Sequence, residues 1–410
     1  NQDLVIHSLT HRSLDNISQN ALKSHFAKRQ ENTNRPPILG NYFQDGVWVM
    51  DTGIGTSQQQ LFLIYDTESA DSFVLSNSCD ETCAISAIFD ETKSSTYLTL
   101  NNKPSTIGRF SISEFGEDYV GIPGLSQMKQ RFGLVSSVEP TNDTTQNQID
   151  FLVSGTLGLA YETISNYKNK YFNYSNICTN LHRLGVIKRN IFSVLLVPQR
   201  MITLCQQSPG TCSQSAQNGG ALVFGGYNPE FFGGIGSPRS QIIWTPVIEK
   251  GIKIIKDDNY HNTIDFGENQ PTAIISTTRT QLVFSVDIAN NITNAVGGYL
   301  DPNYGYVGPC NVNINIGFTL GSTKTPFFSD PDSFYKTQID KTSQLCYAGF
   351  TDMNIAQLSY WVLGTPFLKN VYVSATSYLR IISHLMLKIW DLISTLNLDI
   401  SFINISIPKS

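Results

Sequence analysis

The sequence predicts an all-β chain folded into two lobes. Its 410 residues are too many for one compact core and suit two packed lobes with additional segments. Apolar and polar residues alternate in short runs such as Gln60–Tyr65, broken by Gly, Asn and Pro, which indicates strands and hairpins. Two distant segments share a pattern, Ile64-Tyr65-Asp66-Thr67 and Ile274-Ile275-Ser276-Thr277, and each is followed later by a Leu-Gly pair, Leu157-Gly158 and Leu363-Gly364. One such element in each half indicates a duplicated lobe.

The composition indicates a globular protein that does not bind nucleic acid. Hydrophobic residues make up 40% of the chain and charged residues 15%, which is too apolar for disorder. A net charge of −5 without a basic cluster argues against a nucleic-acid partner. We expect no cofactor and no metal.

The cysteines favour disulfides over a metal site. Cys79 with Cys83, and Cys205 with Cys212, are close enough in sequence to close small loops, and neither pair has the spacing of a zinc site. Cys310 and Cys346 could form a third bridge, which would leave Cys178 outside the three pairs.

Candidate glycosylation sites point to the same oxidising compartment. The chain contains these Asn-x-Ser/Thr sequons: Asn16, Asn142, Asn173, Asn291 and Asn404. We therefore expect a protein of the secretory pathway, located outside the cell, at its surface, or in a lysosome or vacuole. A signal peptide is expected to have been removed or omitted.

The two ends of the chain differ from its body. Residues 1–37 carry five Lys or Arg against three Asp or Glu, and Ser18–Gln30 could form a helix or belong to a frayed basic tail. Residues 377–410 include the segment Leu379–Leu398, whose polar spacing suits an amphipathic helix and whose charges are too frequent for a transmembrane span. This tail is interpreted as a packing or self-association helix, with an error in the gene model as the alternative. Between the ends we expect lobes at 38–185 and 186–376.

The most informative motif surrounds Asp66. Residues 53–79 run from Gly53-Ile54-Gly55-Thr56 through an apolar strand to Asp66-Thr67, then to Ser76 and Cys79. This order resembles the first active-site region of pepsin-like aspartic proteases. Further landmarks follow in the family's order and extend the resemblance over nearly all of residues 38–376: Phe132-Gly133-Leu134, Gly155–Tyr161, Phe192–Leu196, Val223–Gly226, Trp244–Val247 and Trp361–Gly364.

The resemblance implies a two-lobed fold with a central cleft that binds a peptide or protein segment. It also implies that residues 1–37 are a basic prosegment lying over that cleft, and it supports the bridges Cys79–Cys83 and Cys310–Cys346. A bridge Cys205–Cys212 would be particular to this chain. Asp51-Thr52-Gly53 matches the family's catalytic tripeptide literally, but the residues required after it follow Asp66 instead.

Family members need two carboxylates that share one proton around a water molecule. One carboxylate deprotonates the water while the other protonates the substrate carbonyl oxygen. The resemblance places the second acid in the segment Thr272–Thr280, where this chain has Ser276. A serine hydroxyl cannot ionise near neutral pH, so half of the chemistry is missing.

Other departures from the family pattern fall on the same loops. Glu68 and Thr278 stand where the family has glycines that allow close approach to the water. In the segment expected to form the flap over the cleft, Glu114 or Phe115 stands where the family has a tyrosine.

Several scaffold residues match the family pattern. Thr67 and Thr277 match the pair that locks the two loops together, and Ser69 matches the residue hydrogen-bonded to the first aspartate. Arg279 replaces a hydroxyl residue, and we expect it to reach Asp66 or Glu68 and hold Asp66 ionised, unless it points to solvent.

Two classes of function remain. The first is an inactive homologue, a pseudoprotease that acts as a binding, scaffold or surface protein. The second is a weak or unusual aspartic endopeptidase that cleaves proteins at acid pH with Asp66 and a substitute acid, Glu68 or Glu114.

Overall fold

The structure is a computed structural model that describes most of the two-lobed body and short segments at both ends. The described residues are 5–8, 10–12, 47–83, 87–101, 103–122, 125, 127–139, 153–167, 174–207, 219–226, 228, 248–256, 260–264, 271–320, 326–340, 342–356, 358–376 and 401–404.

The N-terminal half forms one large sheet. Its strands, in sheet order, are β2 (Thr10–Arg12), β3 (Val47–Ile54), β4 (Gln59–Asp66), β10 (Gly155–Gly158), β5 (Phe73–Leu75), β9 (Met128–Val138), β8 (Phe110–Gly121) and β6 (Leu98–Asn101), with β7 (Ser105–Ile107) also paired to β8. In β4, Leu61 and Leu63 are buried while Gln60 is exposed, as the alternating sequence predicts.

The C-terminal half forms three smaller sheets. The first contains β14 (Tyr260–Ile264), β13 (Ile248–Lys256), β19 (Ile314–Leu320) and β20 (Phe327–Phe328). The second contains β15 (Ala273–Ile275), β23 (Trp361–Leu363), β16 (Leu282–Phe284) and β22 (Phe350–Asp352). The third contains β17 (Tyr299–Asp301), β18 (Gly305–Pro309) and β21 (Leu345–Tyr347).

A fifth sheet joins segments from the middle and both ends of the chain. Its strands, in order, are β1 (Val5–Ser8), β12 (Gly220–Phe224), β11 (Ile191–Leu196), β24 (Val371–Thr376) and β25 (Ser401–Asn404). The N-terminal arm therefore contributes β1 to this sheet and β2 to the large sheet. The predicted helices at Ser18–Gln30 and Leu379–Leu398 lie outside the described residues.

Helices are few in the described part of the chain. They are α1 (Ile177–Arg183), α2 (Gln199–Gln207), α3 (Val286–Ala295) and α4 (Thr365–Leu368), with short 3-10 turns at Glu91–Lys93, Glu162–Ile164 and Pro331–Ser333. None of these described helices is long and apolar enough to cross a membrane. The predicted all-β, two-lobed architecture is confirmed.

The two halves repeat one structural unit. β4, which ends at Asp66, pairs in parallel with β10, and β15, which precedes Ser276, pairs in parallel with β23. The glycines of the two Leu-Gly pairs have the same role. A Cβ atom on Gly158 would collide with the Ala70 backbone, and one on Gly364 would collide with the backbone of Arg279 and Gln281. Both glycines thus let a site loop pass directly beside the neighbouring strand.

Two disulfides lie wholly within the described residues, Cys79–Cys83 and Cys310–Cys346. Cys205 is also disulfide-bonded, and its predicted partner Cys212 lies outside the described residues. Cys178 is a buried thiol of α1 and is not part of a bridge.

We expect removal of the C-terminal disulfide to destabilise the protein more than removal of the N-terminal one. Cys310–Cys346 spans 36 residues and Cys79–Cys83 spans 4. The first bridge therefore lowers the conformational entropy of the unfolded chain more than the second does. The chain-entropy relation gives about 4 kcal/mol for C310S/C346S and about 2 kcal/mol for C79S/C83S. Guanidinium unfolding of both double variants checks this order, and equal losses would contradict it.

Candidate active site

Two equivalent loops meet across the halves of the molecule through a reciprocal pair of threonines. The Thr67 hydroxyl donates to the Ile275 carbonyl at 2.7 Å and accepts from the Thr277 N–H at 3.1 Å. In the mirror arrangement, the Thr277 hydroxyl donates to the Tyr65 carbonyl at 2.5 Å and accepts from the Thr67 N–H at 3.3 Å. These bonds hold the ends of β4 and β15 together, so the side chains that follow each strand face one site.

Asp66 and Glu68 supply the carboxylates of this site. Asp66 is the last residue of β4, and its Oδ1 accepts the Glu68 backbone N–H at 2.7 Å. The Glu68 side chain is largely buried, with 13% of its surface exposed. Its carboxylate reaches the loop that follows β15.

Ser276 is fully buried and holds the Glu68 carboxylate. Its hydroxyl donates to Glu68 Oε1 and accepts the backbone N–H groups of Arg279 at 2.9 Å and Thr278 at 3.2 Å. The hydroxyl is therefore engaged by one acid and two amides.

The Thr278 hydroxyl lies between the two acids. Its Oγ1 is 3.5 Å from Asp66 Oδ1, 3.5 Å from Glu68 Oε1 and 3.2 Å from Ser276 Oγ. A side chain thus stands at the point from which both carboxylates can be contacted.

The Arg279 side chain reaches Glu68, one of the two acids expected from the sequence as its partner. Its Nε lies 3.4 Å from Glu68 Oε1, and 21% of its side chain is exposed. The guanidinium provides a positive charge beside two carboxyl groups that are largely removed from water.

The expectation that Arg279 would hold Asp66 ionised is wrong. Burial, together with the negative charge of Glu68, raises the pKa of Asp66 to about 7, although hydrogen bonds from the backbone of Glu68 and Ser69 and the charge of Arg279 act in the opposite direction. Loss of hydration outweighs the guanidinium because the cation is paired with Glu68 rather than with Asp66. At acid pH the Asp66 carboxyl carries a proton.

The raised pKa of Asp66 predicts that the free energy of unfolding falls as pH rises, and Asp66→Asn should remove this dependence. The unfolded chain ionises Asp66 near pH 4, whereas the folded protein keeps the proton until about pH 7, so the folded state loses stability as pH rises between these values. The upper limit of this loss is about 4 kcal/mol. Urea unfolding at pH 4, 5.5 and 7 should show D66N gaining stability relative to the unmodified protein as pH rises. A constant difference across this range would contradict the shift.

Ser69 is hydrogen-bonded to Asp66, as the resemblance implies, but through its backbone N–H and not through its side chain. Its hydroxyl donates to the Asp71 carbonyl at 3.3 Å and accepts the Asp71 N–H at 3.1 Å. Only the Ser69 backbone N–H acts on Asp66. The local turn towards buried Asp71 provides the nearer partner for the hydroxyl.

The assignment of Glu114 or Phe115 to the flap position is also wrong. Both lie inside the long strand β8. Phe115 is fully buried against Tyr167, and Glu114 accepts hydrogen bonds from Tyr97 at 2.6 Å and Thr99 at 3.0 Å. These hydrogen bonds hold the Glu114 carboxylate against Tyr97 and Thr99 and not against Asp66 or Glu68.

The hairpin turn instead falls at Gly108-Arg109, between β7 and β8. Ile107 pairs with Phe110, so the turn has two residues, and Gly108 has a φ of 56°. Such a two-residue turn favours glycine because φ is positive. The lone glycine between two alternating runs was the signal that would have located this turn.

Tyr360 is a neighbour of the acids that the sequence did not indicate. Loss of hydration raises the pKa of its phenol, with a further contribution from the negative charges of Glu68 and Asp66, which Arg279 opposes. Tyr360 directly precedes β23, the strand paired with β15. No group of three or more His, Cys, Asp or Glu within the described ranges could hold a metal ion.

Three of the five candidate glycosylation sites, Asn16, Asn142 and Asn173, lie outside the described residues. Asn291 is exposed on α3, where the hydroxyl of the sequon residue Thr293 bonds to the Ala289 carbonyl at 2.8 Å. Asn404 is the last residue of β25.

Two β-lobes whose equivalent loops meet through paired threonines beside an aspartate define the two-lobed, pepsin-like class of aspartic proteases. The chain belongs to the eukaryotic aspartyl protease family, whose model matches residues 47–377. It is 27% identical to pepsin A of Canis lupus familiaris over 90% of this chain and 88% of that protein.

Other relatives show the same level of similarity. Major aspartyl peptidase 1 of Cryptococcus neoformans is 26% identical over 80% of this chain and 66% of its own length. Cathepsin E of Cavia porcellus is 25% identical over 83% of this chain and 81% of its own length.

Proposed function

We propose that this protein is a catalytically inactive aspartic peptidase homologue that binds a peptide segment in its cleft without cleaving it. The observation that carries the proposal is Ser276, buried at the position of the second acid. Its hydroxyl already contacts Glu68 and two backbone amides. A hydroxyl cannot take the proton of an attacking water in the way that a carboxylate does.

The surrounding side chains support the same proposal. Thr278 Oγ1 stands 3.5 Å from an oxygen of each acid, and a water bound by both carboxylates would need that space. Arg279 pairs with Glu68, which adds bulk and charge where the family pattern has small residues. The threonine pair that shapes the floor of the cleft is intact, so the scaffold for binding is retained.

A location in the secretory pathway is part of the proposal. It is supported by the disulfides Cys79–Cys83 and Cys310–Cys346, because structural disulfides persist in oxidising compartments.

Incubation of the immobilised protein with a synthetic peptide library at pH 4 and pH 7 tests the proposal. Mass spectrometry of the eluate should recover a subset of peptides, all intact. Thr278→Trp, which fills the floor of the site, should lose that subset, whereas Asp66→Asn should keep it. Recovery of cleaved peptides that depends on Asp66 would overturn the proposed inactivity, and the absence of any retained peptide would overturn the proposed binding.

A further inference from the structure

Glu68 gives the site a second carboxylate from an unexpected direction. It follows β4, on the same loop as Asp66, but its Oε1 accepts the hydroxyl proton of Ser276, 208 residues away in the other half of the molecule. Ser276 occupies the position of the missing acid. The carboxylate lost from one loop is therefore replaced, in space, by a carboxylate that enters from the facing loop.

The contacts of Glu68 and Asp66 suit two different roles, an ionised carboxylate for Glu68 and a protonated carboxyl for Asp66. Glu68 Oε1 receives the Ser276 hydroxyl and lies 3.4 Å from Arg279 Nε, and both groups are donors that suit a carboxylate. Asp66 has a pKa raised to about 7 by burial and by the charge of Glu68, so it holds a proton at acid pH. One proton on two neighbouring acids is the state that this class of hydrolysis requires.

Thr278 stands where the nucleophile would bind. Its hydroxyl oxygen lies 3.5 Å from Asp66 Oδ1 and 3.5 Å from Glu68 Oε1. A water molecule held by both carboxylates would have to occupy the same position, with contacts about 2.8 Å long. The side chain of Thr278 excludes it.

We propose that Glu68 is a relocated second acid of the dyad and that Thr278 occupies the place of the water, so that removing the Thr278 side chain creates a peptidase that requires both Asp66 and Glu68. This inference deepens the proposed function and rests on the inactivity of the unmodified protein. Glu68 would then be a catalytic residue, and Ser276 and Arg279 would be positioning residues for it.

The reaction is peptide hydrolysis by an admitted water. The Glu68 carboxylate removes one proton from the water, and the oxygen of that water bonds to the peptide carbonyl carbon. At the same time Asp66 gives its proton to the carbonyl oxygen. The tetrahedral diol then returns a hydroxyl proton to Asp66, the C–N bond breaks, and Glu68 protonates the leaving nitrogen. One water is consumed, a carboxylic acid and an amine are released, and both acids regain their starting states.

The test compares Thr278→Gly with a matched variant, Thr278→Val, which removes the hydroxyl but keeps the bulk. Each is made in the full chain with a specific protease site introduced within residues 13–37, and is assayed before and after cutting there. An unstructured fluorogenic peptide library at pH 3–6 is the substrate. Two further variants, T278G/E68Q and T278G/D66N, remove one acid each.

Thr278→Gly should cleave peptides in at least one of the two forms, and loss of either acid should reduce the rate by about 10²–10⁴-fold, as for removal of a general acid or base. Thr278→Val should stay inactive. Inactivity of Thr278→Gly in both forms, or cleavage that persists in T278G/E68Q, would overturn the relocated dyad. The proposed function has separate outcomes, because it is contradicted by cleavage by the unmodified protein or by failure of that protein to retain any peptide, and not by the results for the Thr278 variants.

Discussion

Substituting Asp for Ser276 alone is expected to leave peptide cleavage undetectable, although it restores the residue type of the second catalytic position. The Ser276 hydroxyl contacts Glu68 Oε1, so the new carboxylate would lie directly against that of Glu68. Three acids this close cannot all ionise, and the sharing of one proton between two of them is lost. Thr278 would still stand between Asp66 and Glu68.

The triple variant S276D/E68G/T278G should gain activity at acid pH. It removes the third acid and the side chain that excludes water, and the N–H groups of Thr278 and Arg279 that now bond to Ser276 could support the new aspartate. We expect its rate on an unfolded protein substrate, after release of residues 1–37, to exceed that of S276D by at least about 10²-fold.

Asp66→Asn in the triple background is the control for this result and should abolish the gain. Activity in S276D alone would show that Glu68 and Thr278 do not obstruct the site. An inactive triple variant that remains folded would show that the obstruction lies elsewhere.

Asp330→Asn should cause a large loss of stability. The Asp330 carboxylate, with 1% of its surface exposed, lies 2.6 Å from Arg200 Nη1 of α2 and 3.3 Å from Lys369 Nζ, which follows α4 and is also 1% exposed. Removing the carboxylate takes away the negative charge that Asp330 places beside the buried ammonium. The expected loss in the free energy of unfolding is about 3–5 kcal/mol.

Asp332→Asn provides the matched control. Asp332 also pairs with Arg200, but 49% of its side chain is exposed, so its loss should cost less than about 1 kcal/mol. Lys369→Met in the Asp330→Asn background should recover part of the stability, because the buried positive charge is then removed as well. Equal denaturation midpoints for D330N and D332N would contradict this account of the cluster.

The fold could be predicted because its signals are local and repeated. The strand that ends at Asp66 and the strand that precedes Ser276 are each followed, later in the sequence, by a segment with a Leu-Gly pair. In the structure each of these strands pairs in parallel with the strand that contains its Leu-Gly leucine. The contact of Arg279 with Glu68 was also predictable, since both residues replace small ones on loops that the threonine pair brings together.

The rest of the site depends on features that sequence patterns do not carry. The protonation of Asp66 follows from its burial, which is decided by packing rather than by neighbours in sequence. The hairpin turn was misplaced because Phe110–Gly121 is one continuous strand and the true turn has only two residues. The hydrogen bond from Ser276 to Glu68 joins residues of opposite halves, so only the folded structure shows that these two side chains are partners.

The most direct test of the central claim is prolonged incubation of the unmodified protein, intact and with residues 1–37 released, with a denatured protein substrate at pH 3–5. Asp66→Asn is assayed beside it, and new peptide ends are counted by mass spectrometry. We predict that the unmodified protein and Asp66→Asn give the same background number of new ends. Cleavage by the unmodified protein that Asp66→Asn abolishes would contradict the account and would identify Glu68 as an acid that already works in the native site.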